Sequence, residues 1–486
     1  MDSAWAARLA RFRVPHVFPL LLAVILICAA LTYVIPAGEY RRADVRVGSG
    51  SRTVVVPGTY RRLPKAISLE GALAGRGVQP DRARPASLVE LLTAVPRGMA
   101  SAADIIFLIF IVGGTFGILQ RAGTIAAVIH GLLDRFAGSG PLLTAVLMLA
   151  VGAGGSTLGM GEELIPLVPV FLMVSREMGR DRVFGVALVY LGAAVGFAAA
   201  TTNPFTVQIA QSIAGVPPGS GIGFRLAFFA AAMLVAIVHV ERYGRRVQAD
   251  RARSPVGEAD VPSEGDAGVG RVPLTGTHVA IVLSAALIFA ASLYAIQTQG
   301  WWLAELSGGF LLIGLVTAAL ARLTVADATA AFVKGLEEMT VAALVVGFAK
   351  GIQVVLDDAR VLDTIVHGAA GALQVFPPMA AAQGMLLFQT ALNFFIPSGS
   401  GQAAVTMPLM APLADVLGLT RQAAVFAFTC GDGFSNMIIP TSGVLMASLG
   451  MAGVAYERWL RFVAPLFVQL LLLSAGFLAL AVWIGY

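Results

Sequence analysis

The chain has 486 residues, of which 57% are hydrophobic and only 13% charged. A soluble domain carries about 25% charged residues, so a soluble enzyme, a disordered chain and a nucleic-acid binder are excluded at the outset. The formal net charge of +5 fits arginines that flank membrane spans and face an anionic leaflet.

Apolar stretches of about 20 residues recur, each long enough to cross about 30 Å of hydrocarbon. Arg8, Arg11 and Arg13 precede a run from Val17 to Ile35. That run is longer than the roughly 7–15 apolar residues of a signal peptide, and no small-residue cleavage site follows. Residues 1–36 are therefore read as an uncleaved first span with a cytoplasmic N-terminus. Residues 37–100 are Arg-rich and extracytoplasmic. The alternation of Arg52–Val56 and the turn pair Pro57-Gly58 predict a small β-hairpin there. Residues 101–241 are apolar with short breaks. Residues 242–276 carry Arg242, Arg245, Arg246, Arg251 and Arg253 among Pro, Gly, Ser and Asp, which reads as a flexible cytoplasmic linker from residue 242. Residues 277–335 hold two connecting spans, and residues 336–486 are apolar again.

Residues 101–241 and 336–486 form a repeat. Pro169 and Gly179 are spaced as Pro408 and Gly418 are, and Arg182 and Arg421 each follow three residues later. Val128-Ile129-His130-Gly131 echoes Ile365-Val366-His367-Gly368, and Gly113 and Gly117 echo Gly347 and Gly351. Each half reads as a span, an amphipathic segment, two half-length segments joined by a Gly/Ser tip, a long segment broken in its middle, and a last span. The pairs 141–153 with 161–175 and 379–395 with 401–417 are too short to cross and predict re-entrant hairpins. Counting crossings from a cytoplasmic start gives nine full spans, a cytoplasmic linker, and repeats of opposite orientation.

Irregular backbone inside a membrane survives only where it lines a cavity or is buried in protein. Four segments demand it: the tips Gly154–Glu163 and Asn393–Gln402, and the breaks Thr201–Thr206 and Gly431–Gly443. Half-helix N-termini there can face a carboxylate, and freed carbonyls can hold Na⁺. Ser156, Thr157, Thr201, Thr202, Asn203, Ser398, Ser400, Gln402, Ser435, Asn436, Thr441 and Ser442 are the substrate-binding candidates, with Na⁺ expected at Asn203 and Asn436. Intramembrane acids are costly, so Glu162, Glu163 and Asp432 are the ion-coupling candidates, for Na⁺ or H⁺. Glu162 and Glu163 can equally cap the tip. Lys350 reads as a snorkelling residue, as a partner of these acids or as a contact for a substrate carboxylate. His130 and His367 read as interfacial residues. Cys28, Cys430 and the five histidines form no disulfide or metal pattern, and no cofactor is implied.

Val14-Pro15-His16-Val17-Phe18, Tyr33-Val34-Ile35-Pro36-Ala37-Gly38-Glu39 and Val55-Val56-Pro57-Gly58-Thr59-Tyr60 resemble the YfcC-type carriers. So do Gly159-Met160-Gly161-Glu162-Glu163, Asn203-Pro204-Phe205-Thr206 and Gly431-Asp432-Gly433-Phe434-Ser435-Asn436. Gly161 stands where that family has alanine. The family is grouped with anaerobic C4-dicarboxylate carriers and described as basic amino acid antiporters of the ion transporter superfamily. The resemblance implies inverted repeats, an elevator motion and, as in many relatives, a homodimer. Together these readings predict an ion-coupled secondary transporter of a small carboxylate-bearing metabolite in the bacterial inner membrane. An amino acid, a peptide-like compound and a C4-dicarboxylate all fit. The alternatives are a basic amino acid antiporter without Na⁺ coupling, or a channel. An enzyme is not expected.

Overall fold

The computed structural model describes residues 17–47, 50–74, 82–136, 139–257, 260–261, 272–299, 301 and 303–486. Arg8, Arg11, Arg13 and His16 lie outside them, as do residues 258–259 and 262–271 of the predicted linker. Helix α1, Val17–Val34, is followed by strands β1 (Ala37–Glu39), β2 (Arg42–Val47), β3 (Gly50–Val55) and β4 (Arg61–Leu63). A short helix α2, Leu69–Ala74, leads to α3 (Leu88–Ser101), α4 (Ala103–Arg121) and α5 (Thr124–Arg135). Helix α6, Gly140–Leu158, turns through a 3₁₀ segment, Glu162–Leu167, into α7, Val168–Glu177. Then come α8 (Arg182–Ala198, with a π turn at Ala187–Leu191), α9 (Val207–Ile213) and α10 (Ile222–Ala249). Helices α11 (Gly276–Gln299) and α12 (Leu303–Leu320) connect to α13 (Val325–Glu338), α14 (Thr340–Asp358) and α15 (Leu362–Leu373). The chain closes with α16 (Pro378–Leu392), α17 (Gly399–Val416), α18 (Arg421–Ser435), α19 (Gly443–Ala452) and α20 (Tyr456–Ile484).

Among the described residues, seven helices are long and apolar enough to cross a membrane: α1, α4, α6, α10, α12, α14 and α20. This is a multi-pass membrane protein. The series α3 to α10 matches the series α13 to α20 element by element. Helices α3 and α13 both have 14 residues, α4 and α14 both 19, and α5 and α15 both 12.

The halves interlock by exchange. Helix α3 crosses α14 so closely that a Cβ on Gly98 would lie 2.5 Å from Gly351 N. Helix α13 crosses α4 in the same way, and a Cβ on Gly335 would lie 2.9 Å from Gly114 Cα. Small residues at such crossings let two backbones touch, which is how helices associate where no hydrophobic force separates side chain from solvent. Arg182 Nη1 donates to Ala452 O (3.0 Å), and Arg421 Nη1 donates to Ala214 O (2.7 Å). Each arginine thus caps the C-terminus of the other half's short helix. Gly179 and Gly418, matched by spacing in the sequence, share a left-handed φ of 68° and 69°.

Several expectations are corrected. The predicted half-length arm 141–153 is part of the continuous 19-residue helix α6, and the reversal falls at Gly159–Gly161 rather than at Gly154. Gly152 and Gly155 are packing glycines: a Cβ on either would stand 3.0 Å from backbone atoms of α8. Helix α18 likewise runs through Gly431-Asp432-Gly433, because α16 and Ala198 press on those glycines, and the break starts at Asn436. The linker begins after Ala249 rather than at residue 242, since α10 continues and Glu241 holds Arg245 at 3.0 Å. The hairpin is β2–β3, joined near residues 47–50; Pro57-Gly58 turns instead between β3 and β4, and β4 pairs with β1.

The strands dock on α15. Arg42 grips Asp363 with two bonds of 3.1 Å, Tyr40 N donates to Asp363 Oδ2 (2.9 Å), and Tyr60 stacks on His367 at 3.9 Å. Burial and the Asp363 carboxylate push the Tyr40 phenol up to about 12.

Candidate functional site

A cavity of about 290 Å³ lies where the two reversals meet the second break and one face of α14. Four layers of local chemistry build it. Gly159 (φ 73°) ends α6 in a left-handed turn, which puts Glu162 and Glu163 at the start of the 3₁₀ segment. Glu163 accepts the Gly161 amide at 2.9 Å. Opposite them, Ser398 caps α17 by accepting Gly401 N (3.3 Å), and Ser442 caps α19 by accepting Leu445 N (3.4 Å). Two helix N-termini therefore converge on the cavity, each with free first-turn amides and a partial positive charge. From α14, Val346, Ala349, Lys350 and Gln353 form one face at i, i+3, i+4 and i+7.

Seven predicted residues lie on the wall: Glu162, Glu163, Ser398, Ser400, Asn436, Thr441 and Ser442. The others stand behind it and hold its shape. Ser156 Oγ donates to Ala199 O (3.0 Å), and Thr201 N donates back to Ser156 O (2.9 Å). Thr202 Oγ1 reaches Thr157 O at 3.3 Å, while Thr157 Oγ1 donates to its own helix at Ala153 O (2.7 Å). Asn203 is fully buried; its Oδ1 accepts Phe205 N (2.8 Å) and its Nδ2 reaches Gly155 O (3.4 Å). Gln402 Nε2 is bound to Gln389 O at 3.0 Å, and Ser435 Oγ donates to Gly431 O at 2.6 Å.

Asp432 is also fully buried, just behind the wall at Gly433. Neither of its oxygens has a hydrogen-bond partner among the described residues, and Thr206 Oγ1 beside it has none either. Both meet at the α17 N-terminus, where a Cβ on Gly399 would stand 3.2 Å from Asp432 Oδ2 and 2.6 Å from Thr206 Cγ2. Burial of a carboxylate without a partner is expensive, which marks this spot chemically.

The freed carbonyls of the second break are already engaged. Tyr190 Oη donates to Asn436 O (2.8 Å), Trp459 Nε1 to Met437 O (2.9 Å), and Tyr456 Oη to Ile438 O. The amide oxygen of Asn436 accepts Asn393 Nδ2 at 3.0 Å. Oxygen for a cation is therefore more available at Asp432 than at the broken backbone.

Two polar wall residues escape the sequence reading, Tyr190 and Gln353, and for a third, Lys350, the structure selects among the readings the sequence leaves open. Tyr190 sits in the π turn of α8, a feature that often marks functional sites and leaves no trace in residue pattern. Lys350 donates to Gln353 Oε1 at 2.7 Å and faces the cavity rather than the interface. A polar stripe at i and i+3 in an otherwise apolar helix was the available signal. His130 and His367 take part elsewhere: His130 accepts Val272 N (3.1 Å), and His367 meets the β strands.

With the geometry in place, comparison with known proteins is informative. The chain is 33% identical over 496 aligned residues to YfcC of Escherichia coli (strain K12), named for basic amino acid antiport, covering 98% of each. It is 24% identical to an uncharacterized protein of Haemophilus influenzae, covering 97% of each. Among solved structures, the YdaH transporter of Alcanivorax borkumensis aligns at 18% identity and TM-score 0.46, covering 97% of this chain and 99% of that one. MtrF of Neisseria gonorrhoeae aligns at 17% identity and TM-score 0.44, covering 97% and 96%. Residues 14–483 match the family described as C4-dicarboxylate anaerobic carrier, DcuC, and the chain belongs to that family.

Proposed function

We propose that the protein is a secondary active transporter of the bacterial inner membrane that exchanges a basic amino acid, and that it is not an enzyme. The carrying observation is the polarity of the cavity. Glu162 and Glu163 stand on one wall, and the N-termini of α17 and α19 stand on another. A zwitterion with an added cationic group matches both: its carboxylate takes the amides and hydroxyls of Ser398, Ser400 and Ser442, and its cationic end takes the acids. The name of the E. coli relative supports the same substrate class. Asp432, with Thr206, is the proposed coupling site for Na⁺ or H⁺. Helices α3–α10 and α13–α20 are the two repeats, of opposite orientation and moving as an elevator with the N-terminus in the cytoplasm. The exchanged contacts of the halves support that reading.

A C4-dicarboxylate is the second reading, favoured by the two helix N-termini and Lys350, and suited to the family's description. Counterflow in proteoliposomes separates them. Vesicles loaded with unlabelled L-arginine are expected to take up labelled arginine, and vesicles loaded with succinate are not. Succinate-driven uptake of labelled succinate, without arginine exchange, overturns the proposal. Flux that does not saturate indicates a channel.

A further inference from the structure

A proline takes one amide away from a helix, and the carbonyl four residues before it loses its partner. Both breaks have this feature: Pro204 deprives Ala200 O, and Pro440 deprives Asn436 O. The two carbonyls are served differently. Ala200 O receives Arg225 Nη1 of α10, from its own half, at 3.4 Å. Asn436 O receives Tyr190 Oη of α8, from the other half, at 2.8 Å. Counting from the matched arginines Arg182 and Arg421, the counterpart of Tyr190 is Thr429. Thr429 Oγ1 donates to Phe426 O of its own helix (3.1 Å) and accepts Arg225 Nη1 (3.3 Å). Only one of the two positions thus carries a donor to the break of the opposite half. The π turn at Ala187–Leu191 contains Tyr190, and such a turn shifts which side chain meets a neighbouring element. The ring stands edge-on to Trp459 at 5.9 Å. Of the three aromatic donors to the second break, Tyr190 lies on the cavity wall, with Asn436, Thr441 and Ser442, while Trp459 and Tyr456 stand behind it.

We infer that Tyr190 is a positioning residue for the substrate carboxylate. Its hydroxyl stands in for the amide that Pro440 lacks and fixes the backbone at Asn436. That anchors the short stretch from Asn436 to Ser442, which leads directly into the N-terminus of α19. The carboxylate is received at that N-terminus in the reading above, so the inference rests on that reading and deepens it. Recognition of the carboxylate by the second half comes to depend on a side chain of the first. Glu162 and Glu163 belong to a different element, the 3₁₀ segment after α6, and the cationic end of a substrate held there is independent of the Tyr190 bond.

The test is calorimetric titration of the full-length purified protein with L-arginine and with agmatine, which lacks the carboxylate. Tyr190→Phe keeps the ring and deletes the donor. It is expected to weaken arginine about fivefold, the worth of one ordinary hydrogen bond, and to leave agmatine unchanged. If the Phe variant does not fold, Tyr190→Leu serves in its place with the same expected split. Equal weakening of both ligands overturns the inference, because the hydroxyl then holds the fold and not the carboxylate subsite. Unchanged affinity for both also overturns it. Wild-type protein that binds succinate but neither cationic ligand overturns the basic amino acid reading alone. Tyr190→Phe is then expected to weaken succinate by the same factor, and unchanged succinate binding overturns the inference too. Wild-type protein that binds none of the three overturns both.

Discussion

Helices α4 and α14 are counterparts with different duties. Both have 19 residues, both carry a Gly-x₃-Gly pair, at Gly113 and Gly117 and at Gly347 and Gly351, and each receives a helix of the other half on those glycines. Counting from the glycines, Phe116 of α4 occupies the place of Lys350, and Leu119 the place of Gln353. Phe116 and Leu119 pack with Leu306 and Phe310 against α12, whereas Lys350 and Gln353 face the cavity. The tips diverge as well: the first offers Glu162 and Glu163, the second Ser398 and Ser400. The backbone is thus duplicated while the chemistry is one-sided. A repeated frame sets where helices cross, and a few substitutions on it decide what the cavity holds.

The shared frame can be broken first, and with the largest effect. Gly98→Val and Gly335→Val force side chains into opposing backbones, and each is expected to cost about 3 kcal/mol or more. Thermal unfolding in detergent should show equal losses; one tolerated variant would end the equivalence of the crossings. Next come the two asparagines of the breaks. Asn436 lies on the cavity wall and Asn203 behind it. Asn436→Ala should lower uptake by about tenfold or more at near-normal stability, the scale of one charge-assisted hydrogen bond of ~1.5–3 kcal/mol. Asn203→Ala should instead lose about 1–3 kcal/mol of stability, because it orphans a buried amide. Parallel behaviour of the two in uptake and melting would show that wall and support are not distinct. Asp432→Asn should flatten the dependence of uptake on Na⁺ or pH while arginine affinity holds; intact ion dependence would assign coupling to Glu162 or Glu163. The smallest effect belongs to the exchanged arginines. Arg182→Ala and Arg421→Ala should each cost about 1 kcal/mol, measured by melting, and a marked inequality would sharpen the asymmetry of the halves.

The helix order, the β strands, the acid pair and the breaks were legible because polarity inside an apolar run is rare and conspicuous. The limits of the elements were less so, and glycine is the reason. At Gly159 it signals a left-handed turn; at Gly155, Gly431 and Gly433 it signals a backbone pressed against its neighbour. The residue type is the same and only the fold separates the causes. Helices α3 and α13 leave no span-like signal in the sequence, because each is amphipathic and lies among polar residues. Lys350 reads equally as a snorkelling residue and as a residue of the site because length and flexibility allow either direction, and only the rotation of α14 selects the cavity.

The docking of the β strands on α15 ties early chain to late chain. Tyr40 binds Asp363 across 323 residues of sequence. At about 5–20 residues per second, synthesis of that interval takes roughly 16–65 s. For that time the strands have no helix to rest on, and their exposed edges are open to pairing with other chains. A ribosome that stalls before α15 leaves them so permanently. The contact therefore separates a finished chain from a truncated one: only in the finished chain has this small sheet found its helix.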